Sequence, residues 1–484
     1  MIRIFASLFA LACLGLALVA GTHYEGHWIV YAVFTLTANA LLFIGFRRQA
    51  IYFDTFIGIF LWLGFWLKLS LRVAFTAGQF HESVGAFDGS GAAFDHALTV
   101  ASWGFGGLLL ASFVRQRFFH YPATPLSCTG QGLFELYRTY RKTCIALFVV
   151  LVLGVGVSNI VLGIYQRGMV TQTVLPFGLN GIYKWLLQFG LSSMAALIIR
   201  FEIELQRNVS MVAIFPPLME CFTSNVSLLS RGMVLNSAAL GLGGLRTVLG
   251  MNLRLPLRTV AVASITFAAL FAASVLSVNY LRASSVLGEI YELPTAKSST
   301  PTLAYDTKDF AESAKKMTGP LFIDRWVGIE GVMAVSSSQR LGWSLWKEAW
   351  QEKFQEGQLS LFDRYFIDSP YNEPAIDKTK HHFVSLPGVI AFFYYPGSMA
   401  FLFAGLFLLG LVAALFEFLS YRLAGQNWVL CSLLAQVVAF RYASFGYVPS
   451  QSHLLFGTVL LNVLLIAVAD WMARRWMQPP HVSR

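Results

Sequence analysis

Long apolar runs separated by short polar loops fill most of this chain, and one long polar stretch interrupts them. Runs that reach the roughly 18–20 residues needed to cross a bilayer core fall at about 4–21, 27–46, 53–75, 95–114, 143–165, 179–200, 208–227, 231–250, 257–279, 398–420, 426–444 and 452–473. About twelve such runs predict an all-α polytopic membrane protein. The polar stretch, about 281–397, divides it into a first block of spans (1–280), an insert, and a last block of spans (398–484). Two spans are irregular. Pro216, Pro217, Glu220 and Asn225 interrupt the seventh, and glycine is frequent in the eighth. Such breaks are tolerated where the backbone faces protein or a wet cavity. The first run is long for a signal peptide and Leu18-Val19-Ala20 is a poor cleavage site, so it reads as an uncleaved span.

Within the insert, 281–305 reads as extended chain and Asp306–Met317 as a short helix. Around 340–356, Trp343, Trp346, Trp350 and Phe354 recur at helical spacing and line one face. Two readings of that amphipathic helix stand side by side. It packs on the rest of the insert, or it lies on the bilayer as a lid over a lipid-linked substrate.

Charge fixes the orientation. Arg47 and Arg48, then Arg115, Arg117, Arg138, Arg141 and Lys142, then Arg200 and Arg207, fall in alternate loops. Arg246, Arg254, Arg258, Arg422, Arg474 and Arg475 continue the series, while the opposite loops receive the acidic, glycine-rich His81–Asp95 stretch. The positive-inside rule then predicts both termini in the cytoplasm and the insert outside it, which is the periplasm if the cell is a Gram-negative bacterium. The net charge of +10 is spread over many loops, which argues against nucleic acid as a partner and for anionic lipid or a phosphate-bearing substrate. Five cysteines, none in the insert and none in a CxxC pair, predict neither a disulfide framework nor a zinc site, and no other metal or cofactor is expected. The chain has no Walker A loop, dinucleotide fingerprint, G-x-S-x-G or H-E-x-x-H, and its two halves show no repeat.

The cations that break the charge rule are the candidate chemistry. Lys68 and Arg72 sit four apart on one face of the third span, Arg231 and Arg441 stand at outer helix ends, and Arg325 lies in the insert. A cation held at membrane depth is usually functional. Arginine also suits a diphosphate, because its planar fork donates two hydrogen bonds to one phosphate. Arg167 and Arg282 are read instead as snorkelling to headgroups. Asp324 and Glu330 flank Arg325 most closely and are the candidate proton acceptors; Tyr394 and Tyr395 are candidate sugar contacts.

The layout, with S-L-L-S-R-G-M-V-L (Ser227–Leu235), D-R-W-V-G-I-E-G-V-M-A-V (Asp324–Val335) and L-P-G-V-I-A-F-F-Y-Y-P-G-S (Leu386–Ser398), resembles the bacterial oligosaccharide repeat-unit polymerases, the Wzy type of O-antigen and exopolysaccharide assembly. The resemblance implies an all-helical, GT-C-like membrane glycosyltransferase that uses neither metal nor nucleotide sugar. It implies transfer of a growing glycan from undecaprenyl diphosphate to a hydroxyl of a lipid-linked repeat unit, with a chain-length regulator as a partner. An O-antigen ligase acting on the lipid A core is the same-class alternative, and a lipid-linked oligosaccharide flippase is the alternative from a different class.

Overall fold

The computed structural model describes residues 2–80, 82–292, 326–353, 355–369, 378–380, 382, 384–445 and 452–477, all in helices and connecting turns with no strand among them. Eight helices are long and apolar enough to cross a membrane, and two shorter apolar ones, Ser7–His23 and Trp428–Ala443, accompany them.

In chain order, α1 (Ile2–His23) and α2 (Trp28–Gly45) precede α3 (Tyr52–Leu61), which passes through a π turn (Trp62–Leu67) into α4 (Lys68–Thr76). Next come α5 (Gly91–Arg115), α6 (Gly132–Thr139), α7 (Arg141–Leu162), α8 (Leu179–Trp185), a second π turn (Leu186–Gly190) and α9 (Leu191–Gln206). Then α10 (Met211–Ser227), a 3-10 turn (Arg231–Met233), α11 (Val234–Gly250) and α12 (Leu257–Glu292) lead to the insert. The insert contributes α13 (Ile329–Ser336), α14 (Trp343–Gln351), α15 (Leu361–Tyr365) and α16 (Val389–Phe393). The chain closes with α17 (Met399–Leu423), α18 (Trp428–Ala443) and α19 (Ser452–Met477). Side-chain caps set several starts: Ser90 for α5, Ser398 for α17 and Asn427 for α18 each accept from a first-turn N–H. The irregular seventh and eighth spans correspond to α10 and α11, of 17 residues each.

The sequence pattern predicts extended chain from 281, but α12 runs unbroken to Glu292; the rest of that stretch, and the expected Asp306–Met317 helix, lie outside the described residues. A larger difference concerns the insert's place. Read as a lid, it should lie over the spans; instead all eight residues of α13 are buried, as are Val389–Phe392 of α16. Glycines make this entry possible. Gly328 meets the backbone of Gly64 in the first π turn, and Gly331 meets that of Pro387, so closely that neither site has room for a Cβ. Both helices are too short to register as spans, so hydropathy cannot see that they fill the bundle. Only α14 keeps the amphipathic character expected of it. Trp346 packs among Phe392, Phe393 and Phe401, while Trp343 touches Phe401 edge-on and stays exposed.

At the end of the bundle away from the insert, buried carboxylates tie helices together. Asp54 pairs with Arg115 and accepts from Ser112. Glu417 accepts from the N–H groups of Tyr52 and Phe53, at 2.8 Å each, and from the Tyr121 hydroxyl at 2.6 Å. Glu202 holds Arg141 and Tyr137, and Glu204 holds Arg200 and Arg207. The two N–H groups that Glu417 accepts from are ones that the start of α3 would otherwise leave orphaned.

A candidate anion site at the insert end

The other end is built around the loop that follows α7. Asn159, buried in the last turns of α7, donates its Nδ2 to the Tyr165 carbonyl at 2.9 Å and to the Ser227 hydroxyl at 2.9 Å, and its Oδ1 accepts from the Tyr165 N–H at 2.9 Å. Arg167 N–H donates to the Leu228 carbonyl at 2.9 Å. One amide side chain thus fixes the loop against the end of α10. Asn225 shapes the next segment: its carbonyl accepts from Ser230 N–H at 2.9 Å and its Oδ1 from Met233 N–H at 3.1 Å. Between them Leu229 adopts a left-handed φ of 49° and Ser230 caps the Arg231–Met233 turn. That turn runs beside Arg167: a Cβ built on Gly232 lies 3.4 Å from Arg167 Nη1.

Cations converge on Tyr165. Gln188, in the second π turn, donates to the Tyr165 hydroxyl at 2.9 Å, and Lys184, one turn earlier, stands 5.2 Å from the ring centroid. Arg441, in the last turn of α18, is close enough to Tyr165 and Arg167 for their charges to act on one another. No carboxylate among the described residues pairs with Arg441. Burial by itself pushes the Tyr165 phenol up, yet Arg167 and Lys184, with the Gln188 hydrogen bond and Arg441, leave it below its ordinary value of 10.0. Like charges repel unless something of the opposite sign is bound between them.

A second group lies across an aromatic stack. Lys68 Nζ donates to Glu330 Oε1 at 2.8 Å and to the Trp326 carbonyl at 2.5 Å, with both side chains buried. Arg72, one turn further along α4, is half-buried and also has a partner. Trp326 stacks on Phe60 at 5.9 Å, and Phe60 meets Phe440 edge-on at 5.7 Å, one residue before Arg441.

Of the residues singled out in the sequence, then, Lys68 and Glu330 bind each other, Arg72 is beside them, and Arg441 stands in the Tyr165 group. The backbone of Arg231 adjoins that group, while its side chain, Asp324 and Arg325 lie outside the described residues. Tyr394 donates to or accepts from His96 at 3.0 Å, and Tyr395 stacks on Phe366; both tyrosines are buried in packing. No group of three or more His, Cys, Asp or Glu side chains is placed to hold a metal among the described residues. Tyr165, Lys184 and Gln188 escape the sequence reading, and Arg167 is read there as snorkelling to headgroups. Set against family models, curated proteins and solved structures, the chain matches none.

Two half-buried arginines and an exposed lysine, gathered beside a rigid polar frame, can bind an anion and stabilise negative charge that develops on it. Two guanidinium groups and an ammonium suit a multiply charged oxyanion such as a diphosphate.

Proposed function

We propose that the chain is a membrane glycosyltransferase that polymerises undecaprenyl-diphosphate-linked oligosaccharide repeat units into O-antigen or exopolysaccharide on the periplasmic side of the bacterial inner membrane. In this reading about twelve helices span the membrane with both termini inside and a GT-C-like arrangement. The observation that carries the proposal is the gathering of Arg441, Arg167 and Lys184 around Tyr165, with the Arg231–Met233 turn beside them. These cations, with Arg231, hold the donor's diphosphate. The bond between the anomeric carbon and the phosphate oxygen breaks, its electrons remain on the diphosphate, and the acceptor hydroxyl takes its place on the sugar.

The acceptor's proton needs a base. Glu330 is committed to Lys68 in a buried ion pair, so taking the acceptor's proton would break that pair and leave Lys68 without its counter-charge. That favours Asp324, two residues before Trp326, as the base, with the Lys68–Glu330 pair anchoring this part of the insert inside the bundle. Arg72, beside Lys68, is assigned to the same wall, and Arg325, adjacent to Asp324 in sequence, is kept as a diphosphate ligand of the proposal. Tyr394 and Tyr395 shape the insert rather than touch sugar directly.

Reconstitution into liposomes with purified undecaprenyl-diphosphate oligosaccharide tests the reading. The expected result is lengthened glycan together with free undecaprenyl diphosphate. Transbilayer movement of the oligosaccharide without new bonds supports the flippase instead, and transfer only to added lipid A core supports the ligase.

A further inference from the structure

Glu220 lies in the middle of α10, fully buried, and none of the roles above uses it. Its surroundings come from three helices. Ser224, one turn on, donates its hydroxyl to Oε1 at 2.8 Å. Ser192 of α9 is close enough to act on the carboxyl, and its oxygen accepts from Asn236 of α11 at 3.1 Å. The second oxygen, Oε2, is buried and has no hydrogen-bond partner among the described residues. No cation pairs with Glu220 there either. Among the described side chains of the helices packed on α10, Arg141 pairs with Glu202 on α7 and α9, Arg200 with Glu204, and Arg246 of α11 donates to the Ala50 carbonyl. Cys221, the next residue, is the other titratable group nearby.

The backbone around this carboxyl is broken. Pro216 and Pro217 stand inside α10, so the carbonyls of Val212 and Ala213 lose their intrahelical donors. Ser237 donates to the Pro217 carbonyl at 3.2 Å. Just before Ser192 the facing chain is wound as a π turn, a feature frequent at functional sites. An ionised carboxylate without a counter-charge in such an interior is disfavoured by several kcal/mol. A bound cation or proton answers that charge, and the groups that adjoin it are its own carboxyl and the Ser224 hydroxyl, with the proline-interrupted backbone of α10 one turn earlier. We propose that Glu220 is the acidic ligand of a monovalent-cation site, taking H+ or Na+, inside the helical bundle. Carboxyls and unwound backbone at this depth suit either ion. The site is independent of the glycosyltransferase reading.

The test uses the purified full chain in detergent. Infrared spectra across pH look for the C=O stretch of a protonated carboxyl, and thermal unfolding is followed in sodium chloride against equal choline chloride. If the ion is a proton, the wild-type chain shows a carboxylic-acid band at neutral pH that Glu220→Gln removes. If it is sodium, the salt raises the unfolding midpoint over choline and Glu220→Gln abolishes the rise. Should Glu220→Gln fail to fold, Ser224→Ala keeps the carboxyl and removes its donor, moving the band to higher frequency or weakening the sodium response. The proposal is overturned if band and sodium response are the same in wild type and Glu220→Gln, or in wild type and Ser224→Ala where only the latter folds.

Discussion

At the end of the bundle away from the insert, Asp54 meets Arg115, Glu202 meets Arg141, and Glu204 meets Arg200 and Arg207, whereas at the insert end Arg441, Arg167 and Lys184 converge on one tyrosine. Among the described residues the only ion pair at the insert end is Lys68–Glu330. Both ends contain buried charge, so burial alone does not mark a site. The difference lies in how the charges are grouped. Paired charges join helices and read as architecture, and charges of one sign held together by a rigid frame read as a place for a ligand.

The comparison breaks first at its paired end. Asp54→Ala leaves Arg115 buried without a counter-charge and is expected to cost about 3–5 kcal/mol, seen as a lower unfolding midpoint in detergent. Arg441→Ala should leave that midpoint unchanged or raise it, because it relieves repulsion from Arg167. A fall as large as that of Asp54→Ala would make Arg441 architecture too. The Lys68–Glu330 pair sharpens the contrast. Lys68→Met alone is expected to cost about 3–5 kcal/mol, but the double change Lys68→Met with Glu330→Leu should restore most of it, so that the two single losses are far from additive. Additive losses would show that the two residues act separately.

Smaller effects concern ligand and proton. Inorganic pyrophosphate should bind the purified chain, and Arg441→Ala or Lys184→Ala should each weaken it by about 1.5–3 kcal/mol, while Arg138→Ala at the paired end changes nothing. Equal affinity in all three variants would remove the anion from this site. Smallest is the titration of Tyr165. Its phenol should ionise at lower pH than an ordinary tyrosine, and Arg441→Ala should move the onset upward. Ultraviolet difference titration against Tyr165→Phe reads both, and an onset indifferent to Arg441 would separate the two residues.

Much of this was legible in the chain because helices that face lipid must be apolar over a length set by the bilayer. Arg441 and Arg231 stood out as exceptions to a charge rule, and the structure puts Arg441 and the Arg231 backbone at one place. Other features were hidden. α13 and α16 have 8 and 5 residues, too few for a span, and the glycine contacts that let them enter the bundle join residues distant in sequence. Lys184 and Tyr165 acquire meaning only when Gln188 and Asn159 bring their segments together. Glu220 was visible as an interruption beside two prolines, but its lack of a counter-ion is a property of the packed neighbours.

The central claim is that the insert end, where Arg441, Arg167 and Lys184 surround Tyr165, binds the diphosphate of a lipid-linked glycan and promotes its transfer. The most direct measurement compares wild type with Arg441→Ala in liposomes holding undecaprenyl-diphosphate oligosaccharide, with the unfolding midpoint recorded for both. The account predicts that the variant stays folded and inserted but releases no undecaprenyl diphosphate and lengthens no glycan. A folded Arg441→Ala chain that polymerises at the wild-type rate would contradict it.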